Sequence, residues 1–126
     1  MAQAIVLREF GGPHALGIET IEVGDPGPGE LRIRQTAIGV NFHDIYVRSG
    51  LYRTLALPGI PGIEAAGIVE AIGSDAGGFA IGDRIAYVTG RYGAYATDRI
   101  LPADLAIRLP PSINDQVAAT VLLKGL

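Results

Sequence analysis

A mainly β domain, a sandwich or barrel of short strands with short helices between them, is the fold this sequence predicts. The 126 residues include 18 Gly and 8 Pro, spread along the whole chain rather than gathered in one linker, as in many strands joined by tight turns. Short runs of alternating apolar and polar residues recur between those breakers, as in half-buried strands. Hydrophobic residues make up 48% and charged residues 18%, which supports one modest packed core and argues against disorder.

Residues 2–8 alternate weakly and read as a first strand, ended by the Gly11-Gly12-Pro13 turn. Leu16, Ile18, Ile21 and Val23 predict a second strand with its partner face solvated. The turn cluster at 24–30 combines prolines that fix φ with glycines free to take unusual conformations. It contains Gly27-x-Gly29, but Arg32 stands where a dinucleotide fingerprint needs its third glycine, so the segment reads as a loop. Leu31, Ile33, Gln35 and Ala37 alternate with Arg32, Arg34 and Thr36, the clearest half-buried strand of the chain. It leads to an apolar end near Val40.

Residues 37–52, A-I-G-V-N-F-H-D-I-Y-V-R-S-G-L-Y, look like a site. Asn41 sits at the junction of strand and helix, and Phe42, Ile45, Tyr46 and Ser49 then recur at helical spacing until Gly50 closes the turn. Asn41 reads either as a helix N-cap or as a functional group at that corner. Tyr46 lies on the apolar face, as core or as site, and Tyr52 either caps a loop or lines a pocket. His43 and Asp44 are adjacent, but neighbours on a helix diverge and a zinc site needs three or four convergent ligands; His43 is expected on the surface or in a groove.

Pro58-Gly59 and Pro61-Gly62 predict a rigid irregular crossing. Residues 64–72 form a strand crowded with Ala65, Ala66 and Gly67, which implies that another backbone packs closely there. A glycine-rich turn at 73–82 leads to a strand at 82–88, with Asp83 read as a turn acid and Arg84 as a surface base. The chain turns at 89–93 and returns as a strand at 94–100, followed by short apolar pieces around Leu101 and Ile107. Ser112 is the expected N-cap of a last helix, with Asp115 three residues on and Val117, Ala118, Val121 and Leu122 along one face. Lys124 suits the negative end of that helix and Gly125 its stop.

The net charge of -3 and the scattered Arg leave no electrostatic footprint for nucleic acid. With no Cys there is neither a disulfide framework nor a thiolate metal site. The first ten residues lack the charge and apolar run of an export signal, and no apolar segment approaches a membrane span, so a soluble cytoplasmic protein is expected.

Four stretches in this order, F-G-G-P at 10–13, the run at 37–52, P-G-I-E-A-A-G-I-V at 61–69 and G-D-R-I-A-Y at 82–87, resemble the N-terminal half of the medium-chain dehydrogenase/reductase superfamily. Within it, the zinc-free quinone oxidoreductases, the group that includes ζ-crystallin, are the most similar. The resemblance implies a GroES-like, partly open β-barrel with short helices over residues 1–126, with 112–126 starting the crossing to a Rossmann domain that this chain does not contain. That domain would hold most of NADPH, and a full-length protein would be a homodimer.

Zinc-dependent members place Cys at position 41 and His at position 63. Asn41 and Ile63 stand there in this chain, so the resemblance implies no zinc. Without a Lewis acid the acceptor must already be electrophilic, which suits a quinone or conjugated enone and not an unactivated ketone. By resemblance, Asn41 and Phe42 line the nicotinamide end of the cleft, Tyr46 hydrogen-bonds cofactor or substrate, and Tyr52 lines the substrate pocket. Lys124 is a further cofactor-side candidate beside its helix-terminus reading. The implied function is NADPH:quinone reduction by the full-length protein, the isolated domain being inactive. An enone or enoyl-thioester reductase and a non-catalytic binding or scaffold domain are the alternatives.

Overall fold

The structure, a computed structural model, describes residues 2–122. Seven strands and two helices follow one another in the order β1 (Ala2–Leu7), β2 (Leu16–Ile21), β3 (Glu30–Ile38), α1 (Phe42–Ser49), β4 (Glu64–Ile72), β5 (Arg84–Val88), β6 (Asp98–Pro102), β7 (Ile107–Arg108) and α2 (Asp115–Val121). β1 and β2 form an antiparallel pair, and the other five strands form an antiparallel sheet in the order β6-β3-β4-β5-β7. The predicted mainly β class with short helices holds. The sheets are open and no closed barrel forms among the described residues.

Period-two alternation sorts the large sheet into two faces. Leu31, Ile33, Ala65, Val69, Ile85 and Tyr87 point into the main core, while Ala66 and Ala86 point the other way and meet Ala118 and Ala119 of α2. The small side chains let the helix lie close on the sheet. Gly67 shows the same demand from β3: a Cβ there would stand 2.5 Å from Ile33 Cγ2 and 2.6 Å from the Arg34 carbonyl oxygen. The close approach read from Ala65-Ala66-Gly67 is therefore real, and a β-bulge between Gln35 and Ala37 turns Ala37 toward the α2 face.

Three local expectations are corrected. Residues 94–97 do not continue the sheet as a strand. Gln35 Nε2 donates to the carbonyls of Ala94 and Ala96 (2.8 and 2.7 Å), while the Ile5 N–H donates to Tyr95 O and the Thr97 N–H to Gln3 O, both at 2.8 Å. The segment thus ties β1 to the large sheet, and the ladder begins only at Asp98 and includes Leu101.

The last helix is capped by Asn114, not Ser112: Asn114 Oδ1 accepts from the Val117 N–H at 2.8 Å. Its buried residues are Ala118 and Ala119, whereas Val117 and Val121 face outward. Arg84 is not a free surface base either. It pairs with Asp115 at 2.6 Å and also donates to the Ile113 carbonyl, fixing the start of α2, while Asp83 accepts from the Ala80 N–H as the expected turn acid. No regular element spans 53–63 apart from a bridge between Leu7 and Gly59, as the paired Pro-Gly steps predict.

Candidate active site

β3 ends beside the start of antiparallel β4, and the chain turns from β3 into α1 next to Glu64, the first residue of β4. Asn41 has extended backbone angles (φ -126°, ψ 158°), as an N-cap should. Its side chain faces the Asp44 N–H in the manner of a capping box, but the firm half of that box is the reverse contact: the Asn41 N–H donates to Asp44 Oδ2 at 3.0 Å. The Asn41 Nδ2 donates instead to Glu64 Oε1 at 3.1 Å. Because a carboxylate only accepts, this contact fixes which end of the amide is nitrogen. The Asn41 Oδ1 is buried without a hydrogen-bond partner, as is Asp44 Oδ1.

Asn41, Asp44 and Glu64 are 6%, 4% and 1% exposed, so three polar side chains share one nearly dry corner. Tyr95 closes it by donating its hydroxyl to Asp44 Oδ2 at 2.7 Å. Burial, and then the hydrogen bond and charge of Asp44, push the Tyr95 phenol well above its ordinary range, so it remains a donor. Gly39 makes the corner possible. A Cβ on it would lie 2.2 Å from the Ala119 carbonyl oxygen and 2.6 Å from Glu64 Oε1, so any side chain would part α2 from the strand ends.

The apolar stripe of α1 points away from the core, contrary to the ordinary reading of such periodicity. Phe42 is 75% exposed and Ile45 and Tyr46 are each 38% exposed, while the helix buries Asp44 and Val47. Gly50, at φ 89°, ends the helix in the left-handed region and turns Tyr52 back onto it. The Tyr46 and Tyr52 rings meet edge to face with centroids 5.3 Å apart. His43 lies 5.5 Å from Tyr52 and stacks on Tyr92 at 6.1 Å, its Nε2 within 3.2 Å of the Tyr92 hydroxyl, which also bonds Thr54 Oγ1.

The structure therefore joins Tyr46 and Tyr52 with His43 in one aromatic row and sets Asn41 and Phe42 at the N-terminal end of α1. Lys124 lies outside the described residues. Asp44, Glu64, Tyr92, Tyr95 and Thr54 were not candidates from sequence. Glu64 follows Ile63 in the P-G-I-E motif, and a carboxylate at the start of a buried strand was the available signal; Asp44 was weighed only as a metal ligand beside His43, and nothing local marked Tyr92, Tyr95 or Thr54. A groove of about 400 Å³ lined by Ile5, Ile18, Ile38, Val40 and Tyr95, among others, is separate from the aromatic row. Its one titratable group, Tyr95, is engaged by Asp44.

Among the described residues, no three His, Cys, Asp or Glu side chains gather where they could hold a metal ion. What the described residues offer to the ring end of a nicotinamide cofactor is the exposed aromatic side chains of α1 and, at its N-terminus, a buried amide oxygen with no hydrogen-bond partner. Among the described residues, neither helix N-terminus is free for the phosphates. Both helices carry an acid in the first turn, Asp44 in α1 and Asp115 in α2, where a phosphate would need an unopposed N-terminus.

A family profile for the alcohol dehydrogenase GroES-like domain matches residues 27–111. The chain belongs to this family. The GroES-like domain is 46% identical over 126 residues, all of this chain and 39% of the relative, to a quinone oxidoreductase of Pseudomonas aeruginosa. It is 39% identical over 131 residues, all of this chain and 39% of the relative, to a 2-haloacrylate reductase of a Burkholderia species. It superposes with TM-score 0.94 and 40% identity on the quinone oxidoreductase of Escherichia coli solved in complex with NADPH, covering 98% of this chain and 38% of that one. The resemblance to medium-chain quinone oxidoreductases thus runs over the whole GroES-like domain, which spans under two fifths of the length of these relatives.

Proposed function

We propose that this domain is the substrate-side part of an NADPH-dependent, zinc-independent quinone oxidoreductase. The observation that carries the reading is the outward-facing aromatic end of α1 set against the dry Asn41–Glu64–Asp44 corner, in a chain similar throughout to quinone oxidoreductases. An apolar stripe turned to solvent beside a rigid polar cluster fits a flat acceptor on one side and a nicotinamide on the other. The bound cofactor would supply a hydride to the acceptor.

Each residue then has a defined task. Glu64 and Asp44 hold Asn41 from its side chain and its backbone, so its amide is oriented before any ligand arrives. Tyr46 offers a hydroxyl and a ring edge, Tyr52 a ring face, and Phe42 an apolar cover that excludes water once a second domain closes over it. Zinc independence rests on donor chemistry: Asn41 and Ile63 replace the thiolate and imidazole of zinc-dependent relatives, and the Asn41 amide nitrogen is directed at Glu64. Negative charge formed on the acceptor delocalises into a quinone's own ring, so no metal is required. Residues 112–126 start the crossing to a nucleotide-binding domain in this reading, and the complete enzyme is a cytoplasmic homodimer.

The 2-haloacrylate reductase among the relatives favours a second reading, reduction of an activated alkene. Steady-state NADPH oxidation by the full-length polypeptide with 1,4-benzoquinone and with an enoyl thioester separates the two. Turnover of the quinone is expected to exceed that of the thioester by about tenfold or more in kcat/KM, roughly 1.4 kcal/mol of transition-state preference. Silence toward quinones removes the first reading. Activity lost on chelation removes the metal-free part of it.

A further inference from the structure

Reducing a quinone with a hydride leaves a hydroquinone monoanion, and the neutral product needs one more proton. A site closed against water must bring that proton in along a defined route. We propose that Thr54, Tyr92 and His43 form a proton relay from solvent to the acceptor held on the aromatic row, an inference that rests on the quinone-reductase reading.

Three residues distant in sequence are linked end to end. The Thr54 hydroxyl is bonded to the Tyr92 hydroxyl, which is 3.2 Å from His43 Nε2. Thr54 is exposed, while Tyr92 and His43 are half-buried, so the chain runs from water through half-buried groups to the aromatic row. At its inner end the imidazole lies 5.5 Å from the Tyr52 ring, which in turn touches Tyr46. None of the described residues hydrogen-bonds His43 Nδ1, which leaves that nitrogen as the open terminus. The stacking of His43 on Tyr92, with planes only 13° apart, holds the ring in place while protons move.

Every hop conserves atoms and charge. The His43 Nδ1–H bond breaks as an O–H bond forms on the hydroquinone oxyanion. Nε2 takes the Tyr92 hydroxyl proton, the Tyr92 oxygen takes the Thr54 hydroxyl proton, and the Thr54 oxygen takes one from water. The electrons for the reduction come only from the nicotinamide hydride. Rotation of the two hydroxyls and the imidazole restores the starting arrangement between turnovers. His43 is the terminal donor, and Tyr92 and Thr54 are positioning and relay residues.

The test uses the full-length polypeptide with 1,4-benzoquinone as acceptor. Tyr92→Phe keeps the ring and deletes the hydroxyl, Thr54→Val cuts the outer link, and Thr54→Ser retains it. The first two variants are expected to lower kcat about tenfold or more with KM within about twofold, and to raise the solvent deuterium isotope effect on kcat. Thr54→Ser should match wild type, and added imidazole should restore turnover to His43→Ala. Independently of activity, ¹⁵N NMR of the His43 ring should find the proton on Nδ1 in wild type and a gain of the Nε2–H form in Tyr92→Phe. Unchanged kcat in Tyr92→Phe and Thr54→Val, or an Nε2–H ring in wild type, overturns the relay and leaves the function standing. A wild-type enzyme with no quinone turnover removes the function and the relay with it.

Discussion

Asn41 has little chemical latitude, because its amide donates to a buried carboxylate while its own backbone N–H is held by a second one. An aspartate at this position would keep the shape and lose the donor, bringing a second carboxyl oxygen to the 3.1 Å at which Nδ2 now meets Glu64. Two ionised carboxylates that close in a dry corner cannot coexist cheaply. Asn41→Asp is expected to cost about 3 kcal/mol in urea unfolding at neutral pH, against about 1 kcal/mol for Asn41→Ala, which removes a hydrogen bond without adding charge. An Asp variant as stable as the Ala variant would contradict this account. Local grammar left Asn41 open between cap and site; its dihedral angles are those of a cap, and its amide oxygen is buried without a hydrogen-bond partner. Tyr92 and Thr54 were illegible because each lies in a loop, and only the fold carries the first to a place beside His43, 49 residues earlier in the chain.

Among the elements, the strands were legible and the helix faces were not, for one reason. A strand in a sheet with one apolar face shows its partner through alternation, as the run from Leu31 to Ala37 does. A helical apolar stripe says only that one face prefers not to meet water. In α1 that face, with Phe42, Ile45 and Tyr46, is turned outward toward whatever covers the site. In α2 the contact is made by Ala118 and Ala119, because close packing on Ala66 and Ala86 leaves no room for valine. What holds α2 there is largely polar: Asp115 accepts from Thr36 on β3 and pairs with Arg84 on β5. The Thr36 hydrogen bond above all holds the Asp115 carboxyl below the usual carboxylate range; burial opposes it, and the hydrogen bond and charge of Arg84 add to the lowering. A lowered folded-state pKa gives stability that is present above the unfolded value and lost as pH falls through the folded one. Asp115→Asn should therefore cost about 1 kcal/mol at neutral pH, a figure kept small by the partial exposure of the pair. Below about pH 4 the gap between variant and wild type should close in urea unfolding. A gap that stays constant down to pH 2 would remove Asp115 as the anchor of α2.

On the proposed reading the molecule supplies the nicotinamide end of a cofactor site, and the described residues offer no evident place for the rest of the cofactor. The fold supplies two helix N-termini that could in principle face phosphate, and each has a carboxylate in its first turn already bound to protein donors. The Gly27-x-Gly29 loop opens no helix; it leads directly into β3, and the Gly27 N–H is taken by the Glu30 side chain at 2.8 Å. A net charge of -3 adds a weak general repulsion toward a polyanion. Contacts to a nicotinamide ring alone are few, and the ordering they require consumes much of what they provide. The 126-residue chain is therefore expected to bind NADPH no more tightly than about 1 mM in a fluorescence titration, which corresponds to about 4 kcal/mol. A polypeptide extended to the length of its relatives should bind at least about a hundredfold more tightly, because the phosphates would then gain a glycine-rich loop and an unopposed helix end. Micromolar affinity in the short chain would mean that the aromatic end of α1 and the Asn41 corner recognise far more of the cofactor than its ring, and the division of labour between this domain and a second one would have to be redrawn.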